Sequence, residues 1–299
     1  MRGTRRRMDM EDIKIIRQGA AGEKTAKTVL KENWKDEVCF LTFPALEACE
    51  EVIHGFSTRI GGVSKNEFSQ MNLSFSRGDV KENVLENYRR IAAAIGFDDT
   101  HIVCSDQTHT VNVREVTQED LGKGYIRPRD YTDVDGLVTN IPGVILATFY
   151  ADCVPLYFVD PVHHAVGLSH SGWRGTVGDI AGATVRMMTE KYGTEPADVL
   201  AAIGPSICQS CYEVSEDVID QFKEAYDGSL WERLFYAKEN GKYQLDLWEA
   251  CRQNMLRAGI LPEHISVTDI CTCCNSDVLF SHRASHGKRG NLAAFLGLR

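Results

Sequence analysis

Four short β-rich runs in the middle of the chain, residues 134–138, 144–150, 154–159 and 165–170, constrain the fold most. Each is dense in Val, Ile, Leu, Phe and Tyr, and each is cut from the next by Pro, Gly or Asp, as expected of strands in a sheet core. Helical periods surround them. Val84, Tyr88, Ile91 and Ile95 predict an amphipathic helix over 81–95 that ends at Gly96. Val177, Ile180, Thr184, Met187 and Met188 carry a second period from just after Gly175 to Tyr192, with Gly193 closing it. A third helix is expected over about 215–226, and a fourth from Asp246, whose carboxylate can cap with Glu249 three residues on, to Gly259. The Met pair reads as core packing. Strands and helices intermingle without a βαβ repeat or a glycine-rich dinucleotide fingerprint, so an α+β layered fold is expected rather than a Rossmann type. Strand-like material begins with 38–46 and 52–57, and Gly61-Gly62 marks a turn. Residues 1–36, charged and weakly periodic with Gly19 and Gly22, read as an N-terminal extension, and 37–299 as one catalytic domain.

The chain's 43% hydrophobic and 25% charged residues are those of an ordinary soluble globular protein. A formal net charge of −9 supplies no general basic field for a nucleic-acid backbone, so no nucleic-acid partner is expected, and anionic substrates must be met by local donors. No run approaches the roughly 20 apolar residues of a membrane span. The basic start, Met-Arg-Gly-Thr-Arg-Arg-Arg-Met, is not followed by the apolar stretch of a secretory signal, so a cytoplasmic location is the expectation. Ten cysteines spread over a chain of this kind then suggest reduced thiols or metal ligands rather than disulfides.

His109, Cys153 and His170 together offer two imidazoles and a thiolate, the ligand set of a zinc that keeps one position open. Taken singly, each also fits a structural reading: a hydrogen-bonded His at a strand end, a buried Cys. Their settings favour a site. Cys153 lies between two β-rich runs, beside Asp152 and before Pro155, and His170 ends a run directly before Ser-Gly-Trp-Arg-Gly and a helix start. Backbone N–H groups at that start, with Arg174, suit a phosphate or another anion. Arg59, beside Gly61-Gly62, is either an anion clamp or a solvated loop charge. Asp133 and Asp135 form a turn pair or orient a metal-bound His. His163-His164 after Asp160-Pro161 reads as an exposed turn. Cys208-x-x-Cys211 and Cys271-x-Cys273-Cys274 could build a separate structural zinc site or be buried thiols that lie near one another.

Several ordered motifs resemble the YfiH/YlmD family, known as laccase-domain or polyphenol oxidase proteins and as purine nucleoside phosphorylases. They are His54-Gly55-Phe56-Ser57-Thr58-Arg59-Ile60-Gly61-Gly62-Val63-Ser64, Gln107-Thr108-His109, Asp133-Val134-Asp135-Gly136-Leu137-Val138-Thr139, Ala151-Asp152-Cys153-Val154-Pro155, His170-Ser171-Gly172-Trp173-Arg174-Gly175-Thr176 and Ile203-Gly204-Pro205. Cys271-Thr272-Cys273-Cys274-Asn275 and Phe280-Ser281-His282-Arg283 complete the set, so the resemblance runs from about Phe40 to Leu298. It implies a single-domain α+β fold, an α/β/β/α-type layered sandwich similar to a bacterial toxin cysteine hydrolase, with zinc on His109, Cys153 and His170. It also implies phosphorolysis of adenosine, inosine or methylthioadenosine to base and ribose 1-phosphate, with adenosine deamination as a second activity. The partners are then a nucleoside and phosphate, with room for a homodimer. Arg59 and Arg174 could neutralise phosphate, and deamination would need a proton carrier such as Asp152. Two departures stand out: Thr110 where the family has a small residue or glycine, and Gly290-Asn291 where it has Gly-Arg.

Two other functions compete. A copper oxidase is argued against by ligand count, since nine His with no His-x-His pair cannot build a laccase-type cluster, though one copper could sit on the same three ligands. Alternatively Cys153 is a nucleophile activated by His170 or His109, as in an amidase.

Overall fold

The computed structural model describes residues 15–18 and 29–299. Its strands in chain order are β1 Lys31–Lys35, β2 Val38–Thr42, β3 Val52–Ser57, β4 Ile102–Cys104, β5 Val113–Glu115, β6 Gly136–Thr139, β7 Ile145–Tyr150 and β8 Val154–Asp160. Then come β9 Ala165–Ser171, β10 Leu200–Ile203, β11 Glu213–Val214, β12 Phe235–Ala237, β13 Tyr243–Leu245, β14 Ile265–Val267 and β15 Leu292–Leu298. One six-stranded sheet has the order β1-β2-β3-β15-β7-β4 and the other β14-β10-β8-β9-β6-β5, with β11, β13 and β12 in a small third sheet. The four β-rich runs are β6, β7, β8 and β9, and they divide between the sheets: β7 joins the first, the other three the second.

Alternation along each strand explains how the sheets stack. On β7, Leu146 and Tyr150 face the other sheet while Ile145 and Ala147 face the helix Lys81–Ile95. On β9, Val166 and Leu168 enter the same inter-sheet core, and Gly167 and Ser169 lie under Thr184 of the helix Ile180–Tyr192. The outer face of the second sheet is covered by that helix together with Glu216–Ala225 and Leu247–Arg257. The result is helix, sheet, sheet, helices, the expected α/β/β/α layering in one domain, with no closed barrel among the described residues.

The helix ends follow the sequence signals. Gly96 and Gly193 close their helices at φ +102 and +76, and the Asp246 carboxylate accepts from Glu249 N at 2.9 Å. The expected second helix is broken in two, Trp173–Val177 and Ile180–Tyr192, because Asp179 at φ +64 turns the chain and caps the second piece through Gly182 N. β1 falls inside the segment read as an extension. It pairs antiparallel with β2 from Lys31↔Thr42 to Lys35↔Val38, and Leu30 before it is fully buried, so residues 31–35 are part of the folded sheet and Leu30 of the core. Trp34 in a charged strand hides this from a hydrophobicity reading, since an edge strand needs only one covered face. Gly19, Gly22 and the basic start lie outside the described residues. Among the described residues, no helix is long and apolar enough to cross a membrane.

Candidate metal centre

The two layers meet the site from different sides. β9 delivers His170, which follows Val166 and Leu168 on the inter-sheet face and is buried at 3% exposure. The turn between β7 and β8 delivers Cys153, half-buried, from a backbone held at Asp152 with φ +95. The loop after β4 delivers His109, exposed and itself at φ +68. Gln107 anchors that loop: its side chain donates to Phe149 O at 2.7 Å and accepts from Phe149 N at 2.6 Å, imitating a strand partner.

One carboxylate organises two of the three donors. Asp135, fully buried, accepts from His170 Nδ1 at 2.7 Å and from the backbone N–H groups of Thr108, His109 and Thr110 at 3.0, 3.1 and 2.9 Å. The Thr110 hydroxyl adds a further bond at 3.0 Å, so this departure from the family pattern strengthens the loop's grip on Asp135. Of the two sequence readings for Asp135, orienter of a metal-binding His is the one its geometry suits. Asp133 accepts from Thr108 Oγ1 at 2.8 Å and shapes the same turn.

The donor atoms of His109, Cys153 and His170 lie within 4.8 Å of one another, with Cys153 Sγ 3.9 Å from His109 Nε2. With Nδ1 committed to Asp135, His170 presents Nε2 towards the shared space. Gly172 keeps that space open, for a Cβ there would stand 2.6 Å from His109 Cδ2 and 3.3 Å from Cys153 Sγ. Donor chemistry, convergence and a side open through exposed His109 all fit an ion with three protein ligands and a free position.

Charge separates within the triad. Burial alone would push the Cys153 thiol up, but the charge of His170 and a hydrogen bond from His109 outweigh it and bring the pKa down to about 6. Burial likewise opposes charge on His170, yet Cys153 and Asp135 carry its pKa up to about 9. Asp135 is held at about 2, burial being overcome by its bonds from His170 and the loop amides.

The triad forms one end of a cleft of about 290 Å³. Phe75, Phe149, Arg77, Arg129 and Arg289 line it as well. Sequence reading missed these three arginines. Arg289 is buried at 9% exposure, and its Nε has no hydrogen-bond partner within the described chain. Burial, with Arg77 nearby, lowers its pKa to about 10. Arg129 is paired with Asp106 at 2.5 Å. Asn291, the second departure, also lines the cleft and takes a hydrogen bond from Arg289.

The two arginines singled out in the sequence stand elsewhere. Arg59 donates to Ser69 O at 2.6 Å and Ser276 O at 2.8 Å and lies over the Phe280 ring, so it ties loops together outside the cleft wall. Arg174 is exposed and stacks on Trp173 at 4.3 Å, also off that wall. Asp152 is no free proton carrier: Oδ1 accepts from Thr272 Oγ1 and Oδ2 from Arg283 N, both at 2.7 Å. A second cluster joins Cys208, Cys211, Cys271 and Cys274, leaving Cys273 out. Among the described residues, these are the two groups arranged to hold a metal, and neither gathers the many imidazoles of a multi-copper centre.

Residues 53–299 match the family described as multi-copper polyphenol oxidoreductase laccase. The chain is 39% identical to purine nucleoside phosphorylase YlmD of Geobacillus stearothermophilus over 83% of its own length and 90% of that protein. Among solved structures it resembles the hypothetical protein YfiH of Bacillus licheniformis, with a TM-score of 0.84, 35% identity, and coverage of 90% of this chain and 99% of that one. It also resembles YlmD from Geobacillus stearothermophilus, with a TM-score of 0.83, 36% identity, and coverage of 91% and 100%.

Proposed function

Because the chain belongs to the multi-copper polyphenol oxidoreductase laccase family, in which a relative is named purine nucleoside phosphorylase YlmD, we propose that it cleaves purine nucleosides with phosphate at a zinc site on His109, Cys153 and His170. The observation that carries this reading is the cleft itself, whose wall includes two imidazoles and a thiol together with the cationic Arg289 and Arg77 and the ring of Phe75. An ion held there supplies a Lewis acid for a phosphate or substrate oxygen.

The chain's own residues supply the rest. Arg289, with an unpaired buried Nε, and Arg77 hold the phosphate charge as the glycosidic bond breaks. Phe75, stacked on Tyr88 with ring centroids 5.6 Å apart, offers a purine a flat apolar surface. Asp135 keeps the His170 ring and the His109 loop in place throughout. Adenosine, inosine and methylthioadenosine are the substrates proposed, with adenosine deamination as a side activity. The ten free cysteines suit a reducing, cytoplasmic setting. Incubation with adenosine in the presence and absence of phosphate tests the reading: adenine should appear only with phosphate, and phosphate-independent cleavage would reject it.

One observation favours a second reading. A thiol at about 6, facing His170 with Asp135 behind it, is also the arrangement of a cysteine nucleophile and its base. Metal content separates the two, since a thiolate committed to a metal is not free to attack carbon. An amidase predicts amide hydrolysis that rises when a chelator strips the protein. Copper on the same three donors is separated from zinc by elemental analysis.

A further inference from the structure

We propose that Cys208, Cys211, Cys271 and Cys274 bind one structural zinc ion, separate from the His109-Cys153-His170 site, and that this ion fastens the turn carrying Cys153 from behind. The four sulfurs come from two Cys-x-x-Cys loops, one after β10 and one after β14, and all lie within 4.8 Å of one another. Cys211 Sγ and Cys274 Sγ, one from each loop, are 3.4 Å apart. Four sulfurs bound about 2.3 Å from a single tetrahedral ion stand roughly 3.8 Å apart, so small adjustments complete the shell. A cluster of several irons needs its thiolates spread more widely, and one disulfide would leave two of the four sulfurs unused.

The surroundings are built for thiolates. The backbone N–H groups of Cys208 and Cys274 both point at Cys271 Sγ, at 3.2 and 3.4 Å. Gln18 Nε2 donates to Cys274 Sγ at 3.1 Å, and the Ser210 hydroxyl lies 3.1 Å from Cys208 Sγ. Four thiolates around a divalent ion carry a net charge of −2, and such donors are what a partly buried tetrathiolate needs to offset it. When the ion binds, the four thiols release their protons to solvent.

The same loops hold Asp152. Ile207 N donates to Asp152 O at 3.0 Å, and Thr272 Oγ1 and Arg283 N take the two carboxylate oxygens. The Arg283 guanidinium then reaches back to Cys211 O at 3.1 Å. An ion joining the Cys208 and Cys271 loops therefore locks the partners that keep Asp152 in its positive-φ conformation, directly before Cys153.

The test uses the full-length Cys153→Ala chain, purified with reductant and zinc, which disables the cleft site and leaves the four cysteines intact. One zinc per chain is expected, and X-ray absorption should show four sulfur neighbours at about 2.3 Å. Adding Cys211→Ser should remove that zinc. A Cys153→Ala chain without zinc, a shell containing nitrogen neighbours, or iron as the bound ion would overturn the proposal. Failure of the cleft reading is distinguishable, because wild type and Cys153→Ala would then hold the same single zinc.

Discussion

His170 and Asp135 are joined by a 2.7 Å hydrogen bond from Nδ1 to Oδ1, and the same carboxylate accepts the amide of His109 at 3.1 Å. One buried side chain thereby sets the ring of one candidate ligand and the backbone of another. Asp135→Asn keeps the shape but loses the charge and places donors where acceptors are needed. Zinc affinity at the cleft should fall by about 10- to 100-fold, measured by chelator competition in the folded variant. Unchanged affinity would reduce Asp135 to a turn residue.

Phosphate recognition should depend on Arg289 and not on Arg174. Loss of a hydrogen bond to a charged group costs about 1.5–3 kcal/mol, so Arg289→Ala should raise the KM for phosphate by roughly 10- to 100-fold. Arg174→Ala, removing an exposed side chain stacked on Trp173, should leave it nearly unchanged. Steady-state kinetics in varied phosphate compare the two, and the opposite ranking would move the anion site to the helix start.

Phe75 should matter for the nucleoside rather than for phosphate. Phe75→Ala takes away the ring stacked on Tyr88 that is offered to a base, so the KM for adenosine should rise about 5- to 10-fold, an aromatic contact being worth about 1 kcal/mol or more. An unchanged adenosine KM would place the base elsewhere in the cleft.

Stability should carry the signature of His54. It is buried at 5% exposure, and Nε2 accepts from Phe43 N at 2.8 Å, so only the neutral ring suits the site. Burial lowers its pKa from 6.5 to about 4, with Glu47 opposing. The unfolded chain therefore binds the proton first as pH falls. The stabilisation is complete above pH 6.5 and is lost progressively down to about pH 4, for a total of roughly 3 kcal/mol. Urea midpoints at a series of pH values should fall over that range in wild type and less steeply in His54→Gln. Equal slopes would remove His54 as the cause.

How much of this was legible in the sequence follows from range. Strands β6 to β9 and the ends of the helices at Gly96, Gly193 and Asp246 are local signals, and each appears where its residues place it. The triad was visible because its residue types are rare and chemically specific. Arg289 was not, since its place in the cleft depends on the C-terminal β15 entering between β3 and β7, a pairing across the whole chain. Arg59 misled for the same reason: the carbonyl of Ser276 that binds it is more than two hundred positions away. Cys273 and Cys274 are neighbours in sequence, and only the fold selects Cys274 for the cluster.

Zinc content and phosphate-dependent adenosine cleavage, measured together in wild type and Cys153→Ala, decide whether the cleft triad is a metal centre that does the chemistry. The variant should lose one zinc per chain relative to wild type and lose cleavage with it. A Cys153→Ala protein that still cleaves adenosine with phosphate at the wild-type rate would contradict it.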